Sequence, residues 1–258
     1  MMVFELRIFL ELMIVALLSW SLSFRIRRVD FVDVLWGLSF AYVAIRSYFN
    51  YFSTGWLSLM FLFMVTLWGV RLAIYLLVRM KGTEDKRYQA FRIKYGIERY
   101  RWISLFHTFA LQMLLVFVVS TTLREFFSAP PNHSIIGHLF LSLGILLWIV
   151  GFLYESIADY QLYQFKQRSS GICKSGLWAY SRHPNYFGEF LLWWGYSLMA
   201  FSRGSILSLA GGLVMTFLLL HVSGVPMLEK SMKEKKGFDQ YQKDIPPFLP
   251  RLSKNNNK

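Results

Sequence analysis

The stretch GLWAYSRHPNYFGE, Gly176 to Glu189, gathers Arg182, His183, Asn185 and Glu189. Pro184 suits the first position of a helix, where its fixed φ is already right and its missing N–H is not needed. Ser181 or His183 then falls at the cap. On that helix Asn185 and Glu189 are four residues apart and share a face. Arg182 and His183 stand at its N-terminal end, where free N–H groups and the helix dipole favour an anion. Glu189 lies about one turn inside the apolar run FLLWWGYSLMAF, where an ionisable group is expensive and marks a functional or water-lined position. Cations at one end and a carboxylate and an amide one turn in would serve a nucleotide: the first for phosphates, the second for ribose hydroxyls. The same residues also fit a plain capped helix, with an arginine snorkelling to the interface and a glutamate paired to another helix.

A second constellation is ESIADYQLYQFK, Glu155 to Lys166. Glu155, Asp159, Leu162 and Lys166 follow helical spacing and lie along one face. Two carboxylates at i,i+4 repel slightly. Such a pair at a membrane mouth points to something cationic or hydroxyl-rich between them; the alternative is a solvated helix face. The other ionisable residues within apolar segments are Glu11, Asp33, Arg46 and Arg71. Arg71 shares a helix face with Tyr75. Asp33 and Arg71 could form a structural pair, and Glu11 and Arg46 could reach the interface by snorkelling.

The elements that position these residues are apolar. The chain of 258 residues is 55% hydrophobic and 18% aromatic, with a mean hydropathy of +0.39. Seven runs have about the length a bilayer needs: Leu6–Phe24, Phe31–Tyr48, Trp56–Val78, Leu105–Leu123, Ile135–Tyr154, Phe187–Phe201 and Ile206–Val222. The first lacks a small-residue cleavage site and reads as a retained helix. The expected fold is therefore all-α, a single polytopic membrane domain of about seven transmembrane helices. SAPPNHS, Ser128 to Ser134, is an outer turn, because two prolines break a helix. The tail 251–258 is polar and expected to be disordered.

The net charge of +13 does not spread along the chain. Basic residues follow runs one, three, five and seven, and the alternate loops hold only Arg124 and Arg203. That asymmetry is the positive-inside pattern, with the N-terminus outside and the C-terminus in the cytoplasm. It explains the charge without nucleic acid. Cys173 is the one cysteine, so no internal disulfide or cysteine metal site is possible, and the five histidines are scattered. No metal is expected. No Walker loop, GxGxxG or GxSxG occurs.

The GLWAYSRHPNYFGE stretch resembles the C-terminal domain of the steroid 5-alpha-reductase family, and above all its bacterial membrane branch, the DUF1295 proteins. VDFVDVLWG (Val29–Gly37), GTEDKRY (Gly82–Tyr88) and ESIADYQLYQFK carry the same resemblance, which runs from about residue 29 to Pro250. RHPNY alone is shared in part with isoprenylcysteine-type methyltransferases and sterol C14-reductases; Glu189 after the glycine tips the match toward reductases. The resemblance implies seven transmembrane helices around a cytoplasm-facing NADPH cavity, in a bacterial inner membrane. It implies that Asn185 and Glu189, as the NxxGE pattern, contact the cofactor with Asp159. Lys166 stands where steroid reductases carry a phosphate-binding arginine, and Tyr180 lies in the matching GL-x-x-Y segment. Glu155 replaces an asparagine of that family. In the third run RLAIY resembles an Arg-x-x-x-Tyr whose tyrosine polarises the substrate carbonyl, here Tyr75. The partner glutamate has no match, and Asp33 is the available acid. HVSGVPMLEK replaces the arginine and histidine that follow the last span in steroid reductases, which leaves the substrate open.

Together these features predict a membrane NAD(P)H-dependent reductase of a lipophilic, enone-containing small molecule. Arg182 and His183 join Asp159, Lys166, Tyr180, Asn185 and Glu189 at the cofactor, and Tyr75 or Asp33 polarises the carbonyl. The rival expectations are an S-adenosylmethionine-dependent methyltransferase of a membrane lipid or prenyl cysteine, and a non-catalytic assembly or lipid-binding protein.

Overall fold

The computed structural model describes residues 2–80, 82–233 and 235–251; Lys81 and the polar tail beyond 251 lie outside them. Among the described residues the chain is helical and has no strand. The long helices are α1 (Met2–Ile26), α2 (Val32–Asn50) and α3 (Trp56–Arg79). A short α4 (Lys86–Tyr95) follows, and then α5 (Ile97–Ser128) and α6 (Ile135–Arg168). The chain ends with α7 (Pro184–Phe201), α8 (Ile206–Met232) and the short α9 (Phe238–Asp244). Each expected apolar run falls on one long helix, the second starting one residue before α2 at its N-cap Phe31. α3, α5, α6 and α8 are long and apolar enough to cross a membrane, as an integral membrane protein requires. Only 22% of the apolar window of α6 is buried within the protein. Leu139, Leu143, Leu146 and Leu153 therefore face outward, a surface that suits lipid and not water.

With no linker visible, the sequence predicts one domain. The chain divides into two compact units, Met1–Ser128 and Ala129–Lys258. The boundary falls in SAPPNHS. Both sides of it are apolar helices, so composition does not change there.

In the first unit α2 and α3 approach at Gly37 and Gly69. A Cβ on Gly37 would come within 2.5 Å of the Gly69 carbonyl oxygen, so no larger residue fits that crossing. Phe61 of α3 stacks on Phe126 of α5 at 3.8 Å. Glu11 and Arg46, expected to snorkel separately, bind each other: Arg46 donates to Glu11 at 2.9 Å and Tyr42 adds a hydroxyl at 2.7 Å. A charge inside an apolar unit is tolerable only when paired and hydrogen-bonded.

In the second unit α6 and α7 also cross closely. A Cβ on Gly151 would meet the Leu192 nitrogen at 2.5 Å, and one on Gly188 would meet the Glu155 nitrogen at 2.5 Å. The glycine of the NxxGE pattern is thus a packing requirement. It brings the acid face of α6 against the first turn of α7.

Candidate functional site

At that crossing Glu155 and Asp159 are buried, at 2% and 3% exposure. Asn185 Nδ2 donates to Asp159 Oδ1 at 3.3 Å. Glu189, one turn on, is half-buried. The loop before α7 is stitched to α6: Leu177 N–H donates to Gln161 at 2.9 Å, and the Trp178 indole donates to the Ala158 carbonyl at 3.0 Å. Pro184 occupies the first helical position as expected and His183 the cap position. The His183 side chain makes no capping bond; the Ser181 hydroxyl instead accepts from the His183 N–H at 3.2 Å.

Asn185 Oδ1 is buried and has no hydrogen-bond partner within the protein. A buried amide oxygen without a donor is a vacancy for an N–H or O–H from elsewhere. With Asp159 bonded to the same side chain and Glu155 and Glu189 on the facing elements, the site is rich in acceptors. That chemistry fits ribose hydroxyls and a carboxamide.

On the anion side Arg182 and His183 have partners within the protein. The sequence places Arg182 on a phosphate. In the structure its Nε and one terminal nitrogen each lie 2.6 Å from Glu229 Oε1. Its other terminal nitrogen donates to the carbonyls of Gln242, at 2.9 Å, and Ile245. His183, 1% exposed, has Nε2 at 3.4 Å from the same Glu229 oxygen. Arg182 and His183 thus hold the end of α8 and the segment after it, because burial selects the acceptors that travel with them. Lys166 is exposed near the end of α6, on the face of Asp159. Tyr180 is half-buried, and its carbonyl accepts from the Arg251 N–H at 3.0 Å.

Residues 238–251, in the basic stretch after the last apolar run, form a strap over this loop. Phe238, Tyr241 and Ile245 bury a small core with Ile172 and Met232. The Tyr241 hydroxyl donates to the Trp178 carbonyl at 2.6 Å, and burial pushes its pKa up. Phe248 packs on Phe187 and Phe190 at 5.8 and 5.5 Å, and its carbonyl accepts from Ser181 at 2.8 Å. Glu229, Tyr241 and Phe248 are the residues that sequence reasoning missed. The signal was there: Phe238, Tyr241 and Ile245 keep helical spacing inside a charged stretch.

In the first unit VDFVD and GTEDKRY form one ion-pair network. Arg28 grips Asp30 through two bonds, at 3.0 and 2.8 Å, and Asp30 also accepts from the Asp85 N–H at 2.9 Å. Glu84 accepts from Arg92 at 2.7 Å and from the Val29 N–H at 2.7 Å. Asp85 caps α4 by accepting from the Arg87 N–H. Burial opposes the charge on Asp85, but hydrogen bonds and charge from Arg87 outweigh it and hold the carboxyl below its ordinary value. Asp33 takes its partners from α4 and α5. Arg87 donates to it at 2.6 Å, Tyr88 at 2.7 Å and Gln112 at 3.2 Å. Burial, with the Asp33 charge second, pushes the Tyr88 hydroxyl well up. Both Asp33 oxygens act as acceptors. Tyr75 lies on α3 with the Arg79 guanidinium 5.9 Å from its ring centre. A cleft of about 70 Å³ borders Asp30, Asp33, Arg79 and Asp85, room for a few waters and too small for a lipid ring.

Among the described residues no three His, Cys, Asp or Glu side chains could hold a metal ion. No curated protein and no solved structure matches the chain. Its sequence matches a family described as protein of unknown function DUF1295 over residues 19–245. The match spans α2 to α9 and with them both the acid-and-amide crossing and the ion-pair network, and so the chain belongs to the DUF1295 family.

Proposed function

We propose that the protein is a membrane reductase that binds NADPH at the α6–α7 crossing and reduces the conjugated C=C–C=O of a lipophilic, steroid- or isoprenoid-like substrate. The observation that carries this reading is the buried Asn185 oxygen with no donor, bonded through its amide to Asp159 and one turn ahead of Glu189. The likeness of NxxGE to the steroid 5-alpha-reductases supplies the cofactor. NADPH, when bound, supplies the hydride that ends on the β-carbon, leaving NADP⁺ and a saturated carbonyl compound once water delivers a proton to the α-carbon. The chain's own residues bind and orient. Asp159 and Glu189 accept from ribose hydroxyls, Asn185 accepts from an N–H or O–H, and Lys166 meets a phosphate. The proposal includes seven spans with the N-terminus outside, so that the site opens to the cytoplasm.

The acid face at Glu155, Asp159 and Glu189 also suits a cationic ligand, which favours S-adenosylmethionine as the second reading. Mass spectrometry of the small molecule retained by detergent-purified protein separates the two. Retention of S-adenosylmethionine, or of neither compound, would overturn the reductase. Glu189→Gln keeps size and removes charge. A charge-assisted hydrogen bond contributes about 1.5–3 kcal/mol, so NADPH affinity should fall roughly ten- to a hundredfold. Unchanged affinity in both Glu189→Gln and Asp159→Asn would refute the site.

A further inference from the structure

Helix α4 and the start of α5 leave apolar side chains bare on a cationic surface. Ile93 is 86% and Ile97 61% exposed, and Trp102 and Phe106 are exposed further along α5. Lys86, Ala90, Ile93 and Lys94 are exposed and fall on one side of α4, and Ile97 is exposed just past Gly96, where α5 begins. The other side of α4 is already filled. Tyr88 is buried on Asp33, and Phe91 packs on Tyr100 and His107 at 6.0 and 4.7 Å. Ile93 therefore lies on a second face of α4.

The charges divide in the same way. Arg87 and Arg92 pair with Asp33 and Glu84. Lys86, Lys94, Arg99 and Arg101 are exposed with the isoleucines, and Glu98 is held by Arg101 at 3.0 Å. Depth is set by α5. Its 32 residues run roughly 48 Å at the usual helical rise, against about 30 Å of hydrocarbon. Its start is charged, with Glu98, Arg99 and Arg101. There the Trp20 indole donates to the Arg101 carbonyl at 2.7 Å, and Trp20 lies 4.8 Å from Phe24 and 5.3 Å from Trp102. Clustered indoles with one polar end belong at the headgroup level. Arg101 sits at that depth, and Ile97 is one turn away.

We propose that the α4–α5 junction lies in the membrane–water interface and docks on an anionic lipid surface. Ile93 and Ile97 enter the acyl boundary, and Lys86, Lys94 and Arg99 meet the headgroup phosphates. Isoleucine insertion alone would serve any phospholipid. The cations select anionic ones, since each basic residue at such a surface adds about fivefold in affinity. The competing reading, a basic loop that only records topology, places the same residues in water.

The test uses the full chain with Ile93→Cys carrying an environment-sensitive fluorophore, and Ile97→Cys as a second site. Cys173 is buried, so the unsubstituted protein serves as the labelling blank. The protein is reconstituted into phosphatidylcholine vesicles containing phosphatidylglycerol, with one or the other lipid brominated as a quencher. Brominated phosphatidylglycerol should quench severalfold more than brominated phosphatidylcholine at equal mole fraction. Lys86→Glu with Lys94→Glu should bring the two together. Quenching by aqueous iodide in place of either lipid would overturn the proposal. Equal quenching by both lipids in the parent would overturn the selection of anionic lipid.

Discussion

Replacing Glu229 by leucine removes the carboxylate that faces Arg182. Arg182 is 5% exposed, and two of its three nitrogens lie 2.6 Å from one oxygen of Glu229. Breaking a buried ion pair from one side costs about 3–5 kcal/mol, because the charge left behind is uncompensated. The carbonyls of Gln242 and Ile245 remain on the third nitrogen and should keep Glu229→Leu near the lower end of that range. Arg182→Met strands both those carbonyls and the carboxylate, so it should be the more damaging. The double variant strands only the carbonyls and should be no worse than Arg182→Met alone, a coupling of about 2 kcal/mol or more. Chemical denaturation in mixed micelles measures the three values. Limited trypsin digestion should show faster cleavage at Lys243 in each single variant, since the strap has lost its anchor. A cost below about 1 kcal/mol for Glu229→Leu, or strictly additive variants, would refute the clamp. So would an Arg182→Met protein that keeps a protease-resistant strap and loses only nucleotide affinity, for that would return Arg182 to a phosphate.

Gly188→Ala should lower the unfolding midpoint and weaken nucleotide retention together. The new Cβ meets Glu155 backbone atoms at 2.5 and 2.8 Å, and forcing such an overlap costs about 1–3 kcal/mol; an unchanged midpoint would show that α6 can retreat. Acid should loosen the first unit. The Asp85 carboxyl is lowered from 3.8 in the folded state, so its contribution is complete above the unfolded value and is lost as pH falls through the folded one. Melting between about pH 5 and 3 should therefore fall less steeply in Asp85→Asn than in the parent, and parallel slopes would remove Asp85 from the network's stability. Reporter fusions after the C-terminus and within residues 86–101 should both report cytoplasm, and one within SAPPNHS the opposite side. A periplasmic signal from either of the first two would overturn the proposed orientation.

The helices were legible because their causes are local. Run length, the prolines at 130 and 131 and the charged ends all act on neighbours in the chain, and each run read from the sequence falls on one long helix to within a residue. The face shared by Glu155, Asp159 and Lys166, and that shared by Asn185 and Glu189, follow from helical geometry alone. What each charge binds does not. Glu11 meets Arg46 and Asp33 meets Arg87 across more than thirty and fifty intervening residues. Arg182 meets Glu229 at a separation of 47. Burial makes pairing obligatory, but which partner is in reach depends on where distant helices cross, and periodicity carries no record of that. Spacing alone marked Arg182 as a cation beside a helix N-terminus; only the tertiary structure turned it toward α8 and the strap. The same holds for the orphaned Asn185 oxygen. The sequence places an amide one turn before Glu189, and the glycine-permitted approach of α6 decides that its nitrogen is bonded and its oxygen is not.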